Sequence, residues 1–285
     1  MIQKALKLFS RVPLHVIVLL LCIVWLLPTL GIFVSSFRPS NDIMTSGWWQ
    51  VFLDPANPQN YTIANYTKVL FGNNIWRSFL NSFIIAIPST FLSLFFASLA
   101  GYAFAWLHFP GRNILFLTIV GLIVVPLQMT FIPILKIYSN TGLYGSYVGI
   151  WLAHAGYGMP LMIYMMRNFM GGLPKELFES AFIDGASVWT AFTRLVVPLS
   201  KPIIASLAIF QFLWIWNDLI VALIYMPDPS KAPITLMIAN LVGSEGQSWH
   251  LLLPAAFISM VLPLIVFFSL QKYFVRGLTA GAVKG

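Results

Sequence analysis

Charge is what this chain has least of: 8% of its 285 residues are Asp, Glu, Lys or Arg, only eight of them acidic, while 59% are hydrophobic. Soluble domains carry roughly 25% charged residues because water must wet their surface, so the solvent around this chain is largely lipid. Cys22 is the lone cysteine, which excludes an intrachain disulfide and a cysteine-based metal site. No Gly-x-x-x-x-Gly-Lys-Ser/Thr phosphate loop and no Gly-x-Ser-x-Gly elbow occurs, so neither phosphate-loop ATP chemistry nor that form of serine chemistry is expected. The four histidines, His15, His108, His154 and His250, do not share a helical face at metal-ligand spacing. No catalytic residue and no metal ligand is expected in this chain.

What is present is apolar sequence in long stretches. A bilayer's hydrocarbon core is crossed by roughly 20 apolar helical residues, and six runs of about that length, nearly free of charge, lie at 13–34, 79–106, 114–137, 147–166, 202–223 and 251–270. Backbone amides in lipid must be bonded internally, which leaves α-helices as the spanning element. The expected fold class is an all-α integral-membrane bundle of six helices, read as one domain over residues 1–285 rather than as the two soluble domains that length alone suggests. The first run follows Lys4, Lys7 and Arg11 as a signal peptide would, but it is too long, and Ser35, Ser36, Phe37 and Arg38 rather than a small-residue cleavage site come after it. It is read as a retained span.

Counting Lys and Arg on each side of the six runs puts eleven on one side and five on the other, so both termini are expected in the cytoplasm. That asymmetry accounts for the net charge of +8 without a nucleic-acid partner. The outer side then receives a long loop, 35–78, in which Trp48 and Trp49 read first as an interfacial anchor and second as a platform for stacking a sugar. Polar residues inside spans face a cavity or a partner. Asp218 is the only acid in any run; with Gln211, Trp214 and Asn217 it is a candidate for lining a pathway or for an interhelical hydrogen bond, and Gln128 is a weaker one.

The inner loop 167–201 is longer than two packed helices need. Pro174 suits a first helical turn, Gly185 a left-handed stop and Ser187 the cap of a second helix that ends near Pro198. The first helix lines up Leu177, Phe178, Ala181 and Phe182, with Glu176, Glu179 and Asp184 as its acids. At these residues the sequence resembles the EAA loop of ABC importer permeases, a pattern of Glu-Ala-Ala, three residues, Gly, nine residues, then Ile-x-Leu-Pro. This chain has Glu179, Ser180, Ala181, Gly185, Leu195, Val197 and Pro198 at the matching distances, and its departures keep small size at Ser180 and apolar bulk at Leu195 and Val197. The resemblance implies a type I importer permease fold, a coupling helix that docks into a groove of a separate ATPase subunit, and ATP and Mg bound on those partner subunits, with no cofactor on this chain.

The C-terminal stretch 271–285 is similar to the tail of the carbohydrate-uptake branch, of which the maltose-type permeases are members; the resemblance implies that Gly277, Leu278, Thr279, Ala280 and Gly281 reach the ATPase interface. Between the last two runs, Gly243, Ser244, Glu245 and Gly246 resemble by position the element of those permeases that enters an external binding protein's cleft. Overall similarity is to permeases of the α-glucoside and related glycoside type. The partners implied are a second permease in a heterodimer, two ATPase subunits and an extracytoplasmic sugar-binding protein, in a bacterial inner membrane. An ion-coupled secondary transporter and an ABC permease for a non-sugar solute are the alternatives; a lone intramembrane acid and six runs count against the first, and the long tail and outer loops lean away from the second.

Overall fold

The computed structural model describes residues 12–72, 74–245 and 248–280, with the backbone alone for 243–245 and 270–280. Every regular element among them is a helix, as lipid requires of a backbone with no water to bond. The chain forms two compact units, residues 1–76 with 238–260 and residues 77–237 with 261–285.

In the first unit, helix α1 (Val12–Ser36) is apolar on all sides and buries only Gly31 and Ser36, which is the signature of a span facing lipid. The loop after it is built of short turns around Arg38. This guanidinium is 3% exposed, yet it donates to the carbonyls of Ser46 and Asp42 at 3.1 Å each and to the Ser46 hydroxyl. Asn65 ties the turn down by donating to the carbonyls of Ser36 and Arg38 at 3.2 and 2.8 Å. A buried charge is tolerable only when its donors are placed in this way. The two tryptophans expected to act together meet edge-on, ring centroids 6.1 Å apart; Trp48 lies over Gly31, where an added Cβ would sit 3.0 Å from its indole nitrogen, and Trp49 is exposed.

The second unit takes most of α2 (Ile75–Trp106), then α3 (Arg112–Leu122), α4 (Gln128–Thr141), α5 (Tyr147–Met170), α6 (Lys175–Ile183), α7 (Val188–Leu199), α8 (Lys201–Trp216) and α9 (Ile220–Tyr225). Helices α10 (Ile234–Glu245) and α11 (Trp249–Ala280) are shared between the units. Helix α2 carries a buried polar seam of Ser78, Asn81, Ser82, Ser89 and Ser93; the small hydroxyl residues return their protons to the carbonyl four residues back and let neighbouring backbones come close. Gly101 serves the same end, since an added Cβ would stand 2.6 Å from that of Met166 on α5. Around this contact lies the core of Tyr102, Phe104, Ile163, Met166 and Met170, joined by Phe178 and Phe192 from beyond α5.

By length and composition, α1, α2 and residues Trp249–Ser269 are apolar enough to cross a bilayer, and α7 with α8 forms a fourth candidate bent by 73°. Helix α5 has spanning length, 24 residues, but carries His154, Arg167, Asn168 and three glycines. Two expected runs are broken. Residues 114–137 stop at Leu122 and resume at Gln128, because Pro126 lacks an N–H and pushes Val125 away from helical geometry. Residues 202–223 stop at Trp216, and Asp218, expected inside a helix, lies in the link to α9, where its carboxylate accepts the Val221 amide at 3.0 Å. The stretch 226–250, which holds the segment expected to enter a binding protein's cleft, contains α10, so Gly243, Ser244 and Glu245 lie in a helix; Gly246 is outside the described residues.

Candidate translocation cavity and coupling loop

The break between α3 and α4 opens one wall of a cavity of about 610 Å³ in the second unit. Leu122, Val125, Leu127 and Thr130 line that wall, Tyr157, Gly158 and Met162 of α5 the next, and Leu207, Phe210, Gln211 and Trp214 of α8 the third. Of the residues expected along a pathway, Gln211 and Trp214 line this cavity. The Gln211 amide is buried and oriented, donating to the His154 carbonyl at 3.2 Å and the Ser93 hydroxyl at 3.3 Å. It fits because residue 158 is glycine: a side chain there would collide with the amide.

Asp218 stands one layer away. Its Oδ2 is 4.0 Å from His154 Nε2, its backbone carbonyl accepts from the Thr235 hydroxyl at 2.6 Å, and the His154 ring meets Trp214 edge-on at 5.7 Å. Asn217 is exposed and turns its amide back to the Leu213 carbonyl at 2.7 Å. Gln128 is exposed at the start of α4 and does not line the cavity. Sequence reasoning missed Thr130 and Tyr157; the Gly156–Tyr157–Gly158 triplet is the signal that marks the second of them. The lining side chains are uncharged, chiefly aliphatic and aromatic, with the Gln211 amide, two hydroxyls and the Trp214 indole as polar points, a composition suited to an uncharged solute with apolar faces and hydroxyl groups. Among the described residues no three His, Cys, Asp or Glu side chains gather as a metal site needs.

The loop 167–201 folds as helix, turn, helix. Helix α6 starts directly after Pro174, which is extended at φ −59° and ψ 130°. It ends where Gly185, at φ +80°, lets its own N–H reach the Phe182 carbonyl at 3.1 Å and the Ala186 N–H reach the Ala181 carbonyl at 2.9 Å; this pair of bonds is a Schellman closure, which favours glycine at that position. The Ser187 hydroxyl then accepts the Thr190 amide at 3.1 Å and caps α7. The apolar stripe expected on α6 is divided. Phe178 turns inward onto Trp106, whereas Leu177, Phe182 and Ile183 face out, Ile183 at 86% exposure. Glu179 is also exposed, paired with Lys175 at 3.0 Å one turn back, and Ser180 and Asp184 share the exposed surface. Leu195 is half-buried and Pro198 exposed. Gly277, Leu278, Thr279 and Ala280 lie in the last turns of α11, and Gly281 is outside the described residues.

Residues 71–280 match the family described as binding-protein-dependent transport system inner membrane component. The chain is 52% identical over 277 residues, 97% of its length and 93% of the relative's, to the osmoprotective compounds uptake permease protein GgtD of Synechocystis sp.. It is 50% identical over 242 residues to the alpha-glucoside transport system permease protein AglG of Rhizobium meliloti, covering 83% of this chain and 64% of that protein. In fold it is similar, at a TM-score of 0.77 over 94% of this chain and 97% of the other, to a 22% identical chain of a bacterial ABC transporter involved in the import of the acidic polysaccharide alginate. With three quarters of its length matched and a relative sharing half of its residues, the chain belongs to the binding-protein-dependent transport system inner membrane components, the permeases of ABC importers.

Proposed function

We propose that this permease forms half of the translocation pathway of an ATP-driven importer for a neutral glycoside or oligosaccharide, and that it performs no ATP chemistry itself. ATP and Mg sit on two separate ATPase subunits, a second permease supplies the other half, and an extracytoplasmic binding protein delivers the solute. Both termini face the cytoplasm. Two relatives support the solute class, being uptake permeases for osmoprotective compounds and for alpha-glucosides, as does the uncharged cavity lined by Gln211 and Trp214.

One observation carries the coupling role: α6 presents Leu177, Phe182 and Ile183 outward beside Glu179 while Phe178 anchors it from behind. A helix with an apolar exposed face and an acid at its edge suits a groove bearing a basic group. Ser180 and Ala181 keep the docking face small, Asp184 and Gly185 form its turn, and Leu195 and Pro198 end the loop. The tail residues Gly277 to Gly281 reach the ATPase pair, and the Gly243 to Gly246 segment faces the binding protein.

The test is ATPase activity of the assembled importer in lipid, with the chain wild type or Glu179→Lys, while a panel of glycoside-loaded binding proteins is presented. Stimulation by one loaded protein that disappears in the variant, with the ATPase subunits present in the wild-type assembly, supports the reading. Uptake that follows an ion gradient and ignores ATP overturns it.

A further inference from the structure

Within the cavity, Tyr157 occupies an unusual position. It is flanked by Gly156 and Gly158; the first faces open space, with nothing within 4 Å of where a Cβ would stand, and the second makes room for the Gln211 amide. The α5 backbone is therefore stripped of side chains on either side of one phenol. All three of these residues line the cavity.

The Tyr157 hydroxyl belongs to a short chain of oxygens that bridges the broken span and the neighbouring helices. Thr130, four residues beyond Pro126, donates its hydroxyl proton to the Leu127 carbonyl at 2.6 Å and stands 3.1 Å from the Tyr157 hydroxyl. Tyr157 lies 2.9 Å from the Tyr225 hydroxyl on α9, and Tyr225 donates to the Phe131 carbonyl at 3.2 Å. Three hydroxyls hold three protons, yet four short contacts join them and the two carbonyls. With Thr130 and Tyr225 each donating to a carbonyl, the Tyr157 proton goes to one of these two neighbours and a lone pair of its oxygen is left open to a further donor. Tyr225 is buried at 1% exposure, so the cavity end of this chain, at Tyr157 and Thr130, is where an outside donor can enter.

We infer that Tyr157, assisted by Thr130, is a specificity-determining residue that receives a hydroxyl of the transported solute, which donates to the open lone pair of the Tyr157 oxygen and extends the chain from α4, α5 and α9 into the cavity. This rests on the glycoside-import reading above and names the residues that carry its selectivity in this chain. The chemistry is that of an alcohol: an O–H group can donate to Tyr157 and accept from it, whereas an ether oxygen can only accept and a C–H group can do neither. The Gln211 amide and the Trp214 ring line the same cavity and give the rest of a sugar ring a polar and a flat apolar neighbour.

The experiment uses the complete importer in proteoliposomes, with its wild-type binding protein, comparing Tyr157→Phe, Thr130→Val and Tyr225→Phe for solute moved per ATP hydrolysed. Tyr157→Phe keeps the ring and its packing; the importer is expected to assemble with its ATPase subunits while solute moved per ATP falls about tenfold, the scale of one hydrogen bond to a partner. Thr130→Val is expected to fall severalfold. Tyr225→Phe removes the buried end of the chain without touching the cavity and is expected to retain more than half of the wild-type ratio. Wild-type ratios in Tyr157→Phe, or equal losses in Tyr157→Phe and Tyr225→Phe that follow a loss of assembly, overturn the inference in favour of a packing role. A wild-type importer that moves no glycoside with ATP is a different result and overturns the glycoside reading itself, taking this inference with it.

Discussion

The indole of Trp106 lies flat against the ring of Phe178, centroids 3.6 Å apart and planes 19° from parallel, and the same indole donates to the Met170 carbonyl at 2.8 Å. Trp106 is the last residue of α2 and Met170 the last of α5, so the stack fastens α6 to the C-terminal ends of two long helices. Phe178→Ala removes the anchor but leaves Leu177, Phe182, Ile183 and Glu179 on the outer face. Truncating a buried Phe costs about 3–5 kcal/mol where the site does not collapse, and here the cost falls on the seating of one short helix. The expected outcome is an assembly that forms but hydrolyses ATP without moving solute. A Phe178→Ala importer with normal transport per ATP would remove α6 from the coupling path.

Gly185 is the other constraint on that helix. At φ +80° a residue with a Cβ is strained by about 1 kcal/mol, less for Asn than for a branched side chain. No atom stands within 4 Å of an added Cβ there, so the strain is conformational and not steric. Gly185→Asn is therefore expected to retain most ATPase co-purification and Gly185→Val to lose most of it. Equal behaviour of the two in a pull-down of the ATPase subunits would show that the left-handed turn is unimportant.

The loop 167–201 was legible in sequence because each of its boundaries has local chemistry: proline before the first turn, glycine at the left-handed stop, serine at the cap. Phe178 was less so, since nothing in a 3.6-residue stripe says which of four apolar side chains a tryptophan 72 positions earlier will capture. The spans are apolar stretches in sequence, but two of the six are not single helices. Pro126 was visible but passed over within an otherwise continuous run, and the stop after Trp216 depends on Asp218 finding the Val221 amide. In the cavity, Gln211 and Trp214 stood out as polar or amphipathic residues in apolar context. Thr130 and Tyr157 did not, because an isolated hydroxyl in a span is ordinary until its partners on other helices are known.

The link between α9 and α10 has its own pH signature. Asp228 accepts the Ser230 amide at 2.9 Å, and hydrogen bonds from Ser230 hold its carboxyl below the ordinary value of 3.8. A carboxyl depressed in the folded state contributes stability above its unfolded value and loses it as the pH falls through the folded one. Hydrogen exchange at Ser230 is therefore expected to be flat from pH 8 down to about pH 5, after correction for intrinsic rates, and to rise only below the ordinary aspartate range. Asp228→Asn is expected to remove that acid-dependent rise; a rise that persists in the variant would assign it to another group.

Asn81 fixes the same link from inside the bundle, and the whole of its side chain is committed. Its amide nitrogen donates to the Ser230 and Ala232 carbonyls at 3.0 and 3.1 Å, and its oxygen accepts from the Tyr147 hydroxyl at 2.9 Å. Next to it, the Ser82 hydroxyl accepts the Ile234 amide and Lys231 donates to the Gly145 carbonyl, both at 2.9 Å. Asn81→Ala leaves two carbonyls and a hydroxyl short of partners in a site 4% exposed, a loss of about 2–4 kcal/mol when each orphaned group costs about 1 kcal/mol or more. Asn81→Asp should be worse in spite of its shape, because a carboxylate turns two donors into acceptors facing carbonyl oxygens. Tyr147→Phe removes one of the three bonds and should cost least. Thermal unfolding of the purified permease in lipid is expected to rank the variants Tyr147→Phe, Asn81→Ala, Asn81→Asp in order of increasing loss, with faster amide exchange at 230–234 in the last two. Should Asn81→Asp prove as stable as the wild type, the amide would be no clamp and the link would be held by Ser82 and Lys231 alone.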